Sequence, residues 1–242
     1  MKIDLHTHTV FSDGENTVKE MIEAAIRIKL DRYGISDHSY TSFDKDYCMD
    51  IKDYDEYKDQ IKRFKEEYRN EIELLCGIEY DYYSDYLPEG FDYVIGSVHC
   101  LKIGDEYPSI DLDRDSFIKI AEKYFDDDYY ALCEAYYETL SDISNKTKID
   151  IIGHFDLISK FNEGYIFFDE NNERYINAWQ KAMLKLLKDV KCFEINYGAV
   201  NKGKRSVPYL TKQMQKFLID NGGNVIDSSD AHNVENVGRF GK

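Results

Sequence analysis

Seven short apolar runs, each followed by a polar or amphipathic stretch, limit what this chain can fold into more than any other feature. The runs are Lys2–His6, Arg32–Ser36, Glu73–Glu79, Asp92–His99, Ile149–His154, Cys192–Asn196 and Asn224–Ser228. They have the length and bounding of strands. Helical patterns lie between them, over Thr17–Leu30, Tyr54–Arg69, Asp113–Ser144, Glu173–Lys188 and Val207–Asn221, with the third long enough to break into two helices. In the first, Val18, Met21, Ile22, Ala25 and Ile26 fall on one face, and Asn16 or Thr17 is placed to cap it. Gly222 and Gly223 stop the last. Strand–helix–strand repetition implies parallel neighbours, because parallel strands need a crossover between them. The result is either an open doubly wound sheet or a closed α/β barrel.

The histidines choose between these. All six, His6, His8, His38, His99, His154 and His232, stand at the C-terminal end of a strand run or just past it, in IDLHTH, GISDH, GSVH, IIGH and DSSDAH. A barrel builds its site from loops at that face, whereas an open sheet gathers ligands at one switch point. The distribution therefore favours a barrel. On extended backbone, side chains at i and i+2 share a side, so His6 and His8 converge, as do Asp230 and His232. Asp13, Glu79 and Asp230 add carboxylates to the same rim. Imidazole and carboxylate together are ligands for divalent Zn, Mn, Fe or Co. Nine such groups exceed the needs of one ion and suit two or three, with Glu79, central in strand order, as the bridging candidate. Paired ions about 3.5–4 Å apart promote hydrolysis, most often at phosphorus. No GxSxG elbow, P-loop or dinucleotide fingerprint competes with this reading.

Composition closes off other classes. A formal charge of −16 repels nucleic-acid phosphate and makes nucleic acid an unfavoured partner. No apolar run approaches the roughly 20 residues that span a bilayer, so no membrane role is expected. The five cysteines, at 48, 76, 100, 133 and 192, form no CxxC pair, which fits free thiols in a reducing cytoplasm. Three prolines and no linker-like tract imply one domain over residues 1–242. Cys100 follows His99 but alternation turns it away from the rim.

The ordered fragments HTHTVFSDG (6–14), GISDH (34–38), GIEY (77–80), GSVH (96–99), GHFD (153–156) and SSDAH (228–232) resemble the PHP (polymerase and histidinol phosphatase) family along nearly the whole chain. The resemblance implies a distorted (β/α)7 TIM-like barrel with a trinuclear site at its C-terminal rim. One ion would take His6, His8, Glu79 and Asp230. A second would share Glu79 and take His99 and His154, and a third would take Asp13, His38 and His232. Within the family, the chain is most similar to stand-alone histidinol-phosphate phosphatases. That likeness implies hydrolysis of L-histidinol phosphate, in histidine biosynthesis, by a metal-bridging hydroxide. Arg205, in FEINYGAVNKGKRSVPY, matches an arginine expected to grip phosphate, while Lys160 in DLISKF stands where a second arginine is expected.

Glu79, Asp230 and His232 are the residues assigned to the reaction, the last two as proton donors to the leaving alkoxide. Asp4, in phase with His6 and His8, and Glu194 with Asn196 are candidates to orient ligating imidazoles. Asp37 and Asp156 point outward or back into loops. The Tyr-rich acidic stretch after His38 is long for a strand–helix loop, and part of it is expected to cover the mouth. Two other readings follow from the same residues: a family phosphoesterase acting on nucleotides, oligonucleotides or another small phosphomonoester, and a metal-binding regulatory domain without turnover.

Overall fold

The structure is a computed structural model that describes residues 1–241. Seven parallel strands lie in sequence order: β1 (Ile3–Asp4), β2 (Arg32–Ile35), β3 (Glu73–Asp81), β4 (Tyr93–Ser97), β5 (Ile151–Ile152), β6 (Cys192–Asn196) and β7 (Asn224–Ser228). The crossovers carry α1 (Val18–Arg27), α2 (Tyr54–Glu67), α3 (Arg114–Phe125), α4 (Tyr129–Leu140), α5 (Glu173–Leu186), α6 (Gly198–Asn201) and α7 (Lys212–Asp220). The sheet closes at the rim, where Thr7 and Ala231 form a parallel bridge and the His8 amide donates to the Ala231 carbonyl at 2.8 Å. This is the distorted (β/α)7 barrel that the sequence implies.

β3 is the hinge of the barrel. Its first half pairs with β2, from Arg32–Glu73 to Ile35–Cys76. Its second half pairs with β4, from Gly77–Tyr93 to Asp81–Ser97, and a further bridge joins His38 to Glu79. Glu79 is thereby carried to the middle of the rim. Beneath it, Leu5, Tyr93, Ile95 and Ile151 form a small buried cluster, on which Ile3, Leu75, Cys192 and Ile226 pack. The Tyr93 hydroxyl donates to the Leu5 carbonyl at 2.5 Å. Its ring passes so close to β2 and β3 that a Cβ at Gly34 or Gly77 would overlap it. The glycines of GISDH and GIEY thus make room for the floor of the site.

The helices form as their sequences dictate. Thr17, not Asn16, caps α1: its hydroxyl accepts from the Glu20 amide at 3.3 Å and Glu20 answers on the Thr17 amide at 2.8 Å. Asn16 instead accepts from the Val234 amide. The long third pattern breaks at Asp126 and Asp127, both in the left-handed region, and Asp128 caps α4. α7 starts later than its apolar pattern does, because Tyr209 is drawn back to the Asn196 carbonyl and Leu210 adopts a left-handed turn. The large core between strands and helices includes Trp179, Tyr57, Tyr136 and Phe117, all fully buried.

Candidate metal centre

Glu79 is the centre of the rim. Its Oε2 lies 3.1 Å from His6 Nε2, 3.6 Å from His8 Nε2 and 2.9 Å from His38 Nδ1. Its Oε1 lies 2.9 Å from His154 Nε2 and 3.4 Å from His99 Nε2. One carboxylate, 1% exposed, is thus ringed by five imidazoles carried by the segments after four strands, β1, β2, β4 and β5. The remaining three assigned ligands, Asp13, Asp230 and His232, border the same cluster. Asp230 Oδ1 is 3.4 Å from His8 Nε2 and 4.0 Å from His6 Nε2. Asp13 reaches His38 Nε2 at 3.6 Å and His232 Nε2 at 3.2 Å. His99 and His154 approach each other at 3.2 Å through their Nε2 atoms.

Three sets of donor atoms are compact enough to hold an ion: His8, Asp13, His38 and His232; His6, His8 and Glu79; His38, Glu79 and His99. The grouping differs from the family-derived partition: His8 and His38 each join two sets, and Asp230 and His154, assigned to the first and second ions, fall in none. The chemistry of the donors fits divalent cations. His6 Nε2, both nitrogens of His8, His38 Nδ1 and Glu79 Oε2 are buried with no hydrogen-bond partner. Buried polar atoms without partners are costly, and a cation shared among them removes that cost. The site is a divalent-metal site.

The surrounding charges prepare the donors. Burial raises the Glu79 carboxyl, but the His6, His38 and His99 charges outweigh it and hold the group well below its ordinary range. Burial likewise lowers His6, and Glu194, Glu79 and Asp230 carry it well above its ordinary value. His8 goes the other way, down to about 3, through burial and the charges of His232 and His38. It is a neutral donor at any physiological pH.

Glu194, at the interior of β6, anchors the ligands from behind. It accepts from His6 Nδ1 at 2.9 Å, the His154 amide at 2.6 Å, Asn196 Nδ2 at 2.7 Å and Ser228 Oγ at 2.7 Å. Asn196 also donates to Asp230 Oδ2 at 3.1 Å. Glu194 orients an imidazole as the alternation along β6 predicts, whereas Asn196 touches no imidazole and steadies Glu194 and Asp230 instead. Asp4 does not orient one either. Its carboxylate takes the Ser229 amide and hydroxyl and the Gly238 amide, and touches no imidazole. β1 ends at Asp4, so the pleat does not continue to His6 and the assumed phase is lost. Asp37 holds Thr9 and Ser12, and Asp156 holds the Leu210 amide, both turned into loops as expected. The sequence reading missed Asp81, which accepts from His99 Nδ1 at 3.1 Å. Its signal was present: it lies two residues beyond Glu79 on one strand.

The two cations expected at the mouth are both committed to protein partners. Arg205 Nη1 donates to the Ser159 carbonyl at 2.8 Å and hydroxyl at 2.7 Å, and its guanidinium lies 4.8 Å above the Tyr209 ring. Lys160 Nζ donates to the Asp111 carbonyl at 2.6 Å and carboxylate at 3.2 Å. The loop after His38 does reach the rim: the Tyr47 ring stands edge-on to His38 at 5.1 Å and tilted against His99 at 6.2 Å. Cys100 is buried, and all five cysteines are free. No described helix is long and apolar enough to cross a membrane.

Residues 4–198 match the PHP domain. The chain belongs to the PHP family. A protein of Bacillus subtilis named "Histidinol-phosphatase" is 23% identical to it, over 98% of this chain and 96% of the relative. A "Probable histidinol-phosphatase" of Schizosaccharomyces pombe is 24% identical, over 98% and 83% of the two chains. Among solved structures, a Listeria monocytogenes protein assigned as a histidinol phosphatase superposes with a TM-score of 0.85 at 23% identity, covering 98% of each chain. The histidinol phosphate phosphatase of Lactococcus lactis, complexed with zinc, L-histidinol and phosphate, gives 0.68 at 20% identity, covering 96% of this chain and 87% of the other. Both structures share this barrel fold.

Proposed function

We propose that this protein is a metal-dependent phosphomonoesterase that hydrolyses L-histidinol phosphate to L-histidinol and phosphate, a step of histidine biosynthesis. The observation that carries the reading is the complete rim: six imidazoles and three carboxylates around Glu79, with no ligand position degenerate. The names of the full-length relatives, and the zinc, histidinol and phosphate held by the Lactococcus protein, support the choice of substrate.

His6, His8, Asp13, His38, Glu79, His99, His154, Asp230 and His232 would hold two or three ions of zinc, manganese or iron, with Glu79 shared between them. When bound, the ions supply Lewis-acid charge to the phosphate oxygens and a water acidic enough to react near neutral pH. The chain's own groups do the rest. Glu194 and Asp81 fix the faces that His6 and His99 present, by accepting from their Nδ1 atoms. Asp230 or His232 would take up the proton that the attacking water loses and pass it to the leaving alkoxide oxygen of histidinol; they stand 3.5 Å apart at the open edge of the cluster. Asp230 keeps a left-handed backbone there, and Gly198 leaves the space its carboxylate needs. Arg205, held rigid by Ser159 and Tyr209, keeps its Nη2 for a non-bridging phosphate oxygen, and Lys160 is the second cation within this turn. Five free thiols support a cytoplasmic setting.

The test is phosphate release by the zinc- or manganese-loaded protein. Histidinol phosphate is expected to turn over far faster than a generic aryl phosphate. Equal turnover of both would withdraw the named substrate and leave a PHP phosphoesterase of broader range.

A further inference from the structure

Asp111 is a carboxylate that the metal centre does not require. It lies in the loop between β4 and α3, which folds back on the rim: the Ile110 amide donates to the His99 carbonyl at 2.9 Å, and Cys100 pairs with Ser109. Ser109 Oγ fixes one carboxylate oxygen at 3.0 Å, and Lys160 Nζ takes the other. The side chain is 22% exposed, and the charges nearest to it are those of Lys160 and of the rim imidazoles His99 and His154. Burial raises its carboxyl, but Lys160 and the His99 and His154 rings outweigh that and keep it ionised. A negative charge beside a phosphate site repels the substrate's own phosphate. Its presence is explained if the substrate carries a compensating cation. The molecule already displays what that position accepts: the group on Asp111 is a primary alkylammonium, donated by Lys160 to carbonyl and carboxylate together.

We propose that Asp111 reads the primary ammonium group of the substrate, exchanging its Lys160 partner for it when substrate binds. The exchange releases Lys160 Nζ, one residue from the Ser159 that seats Arg205, for the phosphate. Selection for an amino-alkyl phosphate and recruitment of the second phosphate cation are then one event. The proposal rests on the histidinol phosphate reading and adds the residue that recognises its amine.

The experiment compares L-histidinol phosphate with imidazolylpropyl phosphate, the same ester without the amine, on the metal-loaded protein and on Asp111→Asn. In the wild type, kcat/KM for the amine-bearing ester is expected to exceed the other by about tenfold or more, the scale of one charge-assisted hydrogen bond. In Asp111→Asn that ratio collapses towards one. Asp111→Ser repeats the measurement if the amide variant does not fold. A second readout needs no variant: L-histidinol should inhibit the wild type about tenfold more tightly than its amine-free counterpart. A wild type that hydrolyses both esters equally keeps the substrate reading and overturns this one. A ratio that persists in both variants also overturns it. A wild type that hydrolyses neither, while releasing phosphate from other monoesters, overturns the substrate reading and this one with it.

Discussion

His6 Nδ1 lies 2.9 Å from Glu194 Oε2, with both side chains buried, the first just past β1 and the second on β6. This contact turns the His6 Nε2 towards Glu79, where it has no hydrogen-bond partner of its own. Glu194 also holds the His154 amide, so one carboxylate steers two ligands.

Glu194→Gln is accordingly expected to weaken metal binding by roughly 10- to 100-fold, the usual effect of losing such support. Competition against a chromophoric chelator measures it. At saturating metal much of the turnover should return, because no assigned ligand has been removed. An unchanged affinity would mean that Glu194 only packs.

Gly77→Ala should destabilise the fold by about 1–3 kcal/mol, through overlap of its new methyl with the Tyr93 ring. Urea unfolding of the metal-free protein reads this directly. The loss should be partly relieved in Gly77→Ala/Tyr93→Ala, since the overlap is then gone. Equal and additive losses in the two single variants would contradict a shared floor.

Metal uptake near pH 7 should release protons. His6, His38 and His99 are held above the ordinary imidazole value, because neighbouring carboxylates outweigh burial. In the metal-free protein they therefore carry protons to a higher pH than a free imidazole does, and a ligating nitrogen must give its proton up. Affinity should rise with pH as these groups deprotonate, and calorimetry in buffers of different ionisation enthalpy counts the protons. Proton-neutral binding would contradict the charge distribution described around Glu79.

Much of this was legible in the sequence, for reasons that particular residues make plain. β6 and β7 appear with the bounds their apolar runs predict, because Gly222 and Gly223 and flanking polar residues delimit them. The nine rim residues converge because the C-terminal ends of the parallel strands and the loops after them share one face of the barrel. What was not legible depends on tertiary contacts. Asp4 was read as a partner of the imidazoles from period-two alternation, but β1 ends there and the chain turns its carboxylate to Ser229 and Gly238. The short α6 has no periodic signal, being a single turn after Tyr197. Lys160 shows its cationic type in sequence but not its attachment to Asp111, which lies 49 positions away.

The most direct test of the central claim is the metal content per chain, by inductively coupled plasma mass spectrometry after equilibrium dialysis against zinc or manganese. The account predicts two or three ions in the wild type and a loss of more than one in Glu79→Ala, because Glu79 belongs to two of the three donor sets and lies beside His8 and His38 of the third. A wild type that holds none, or a Glu79→Ala protein that keeps the full complement, would contradict it.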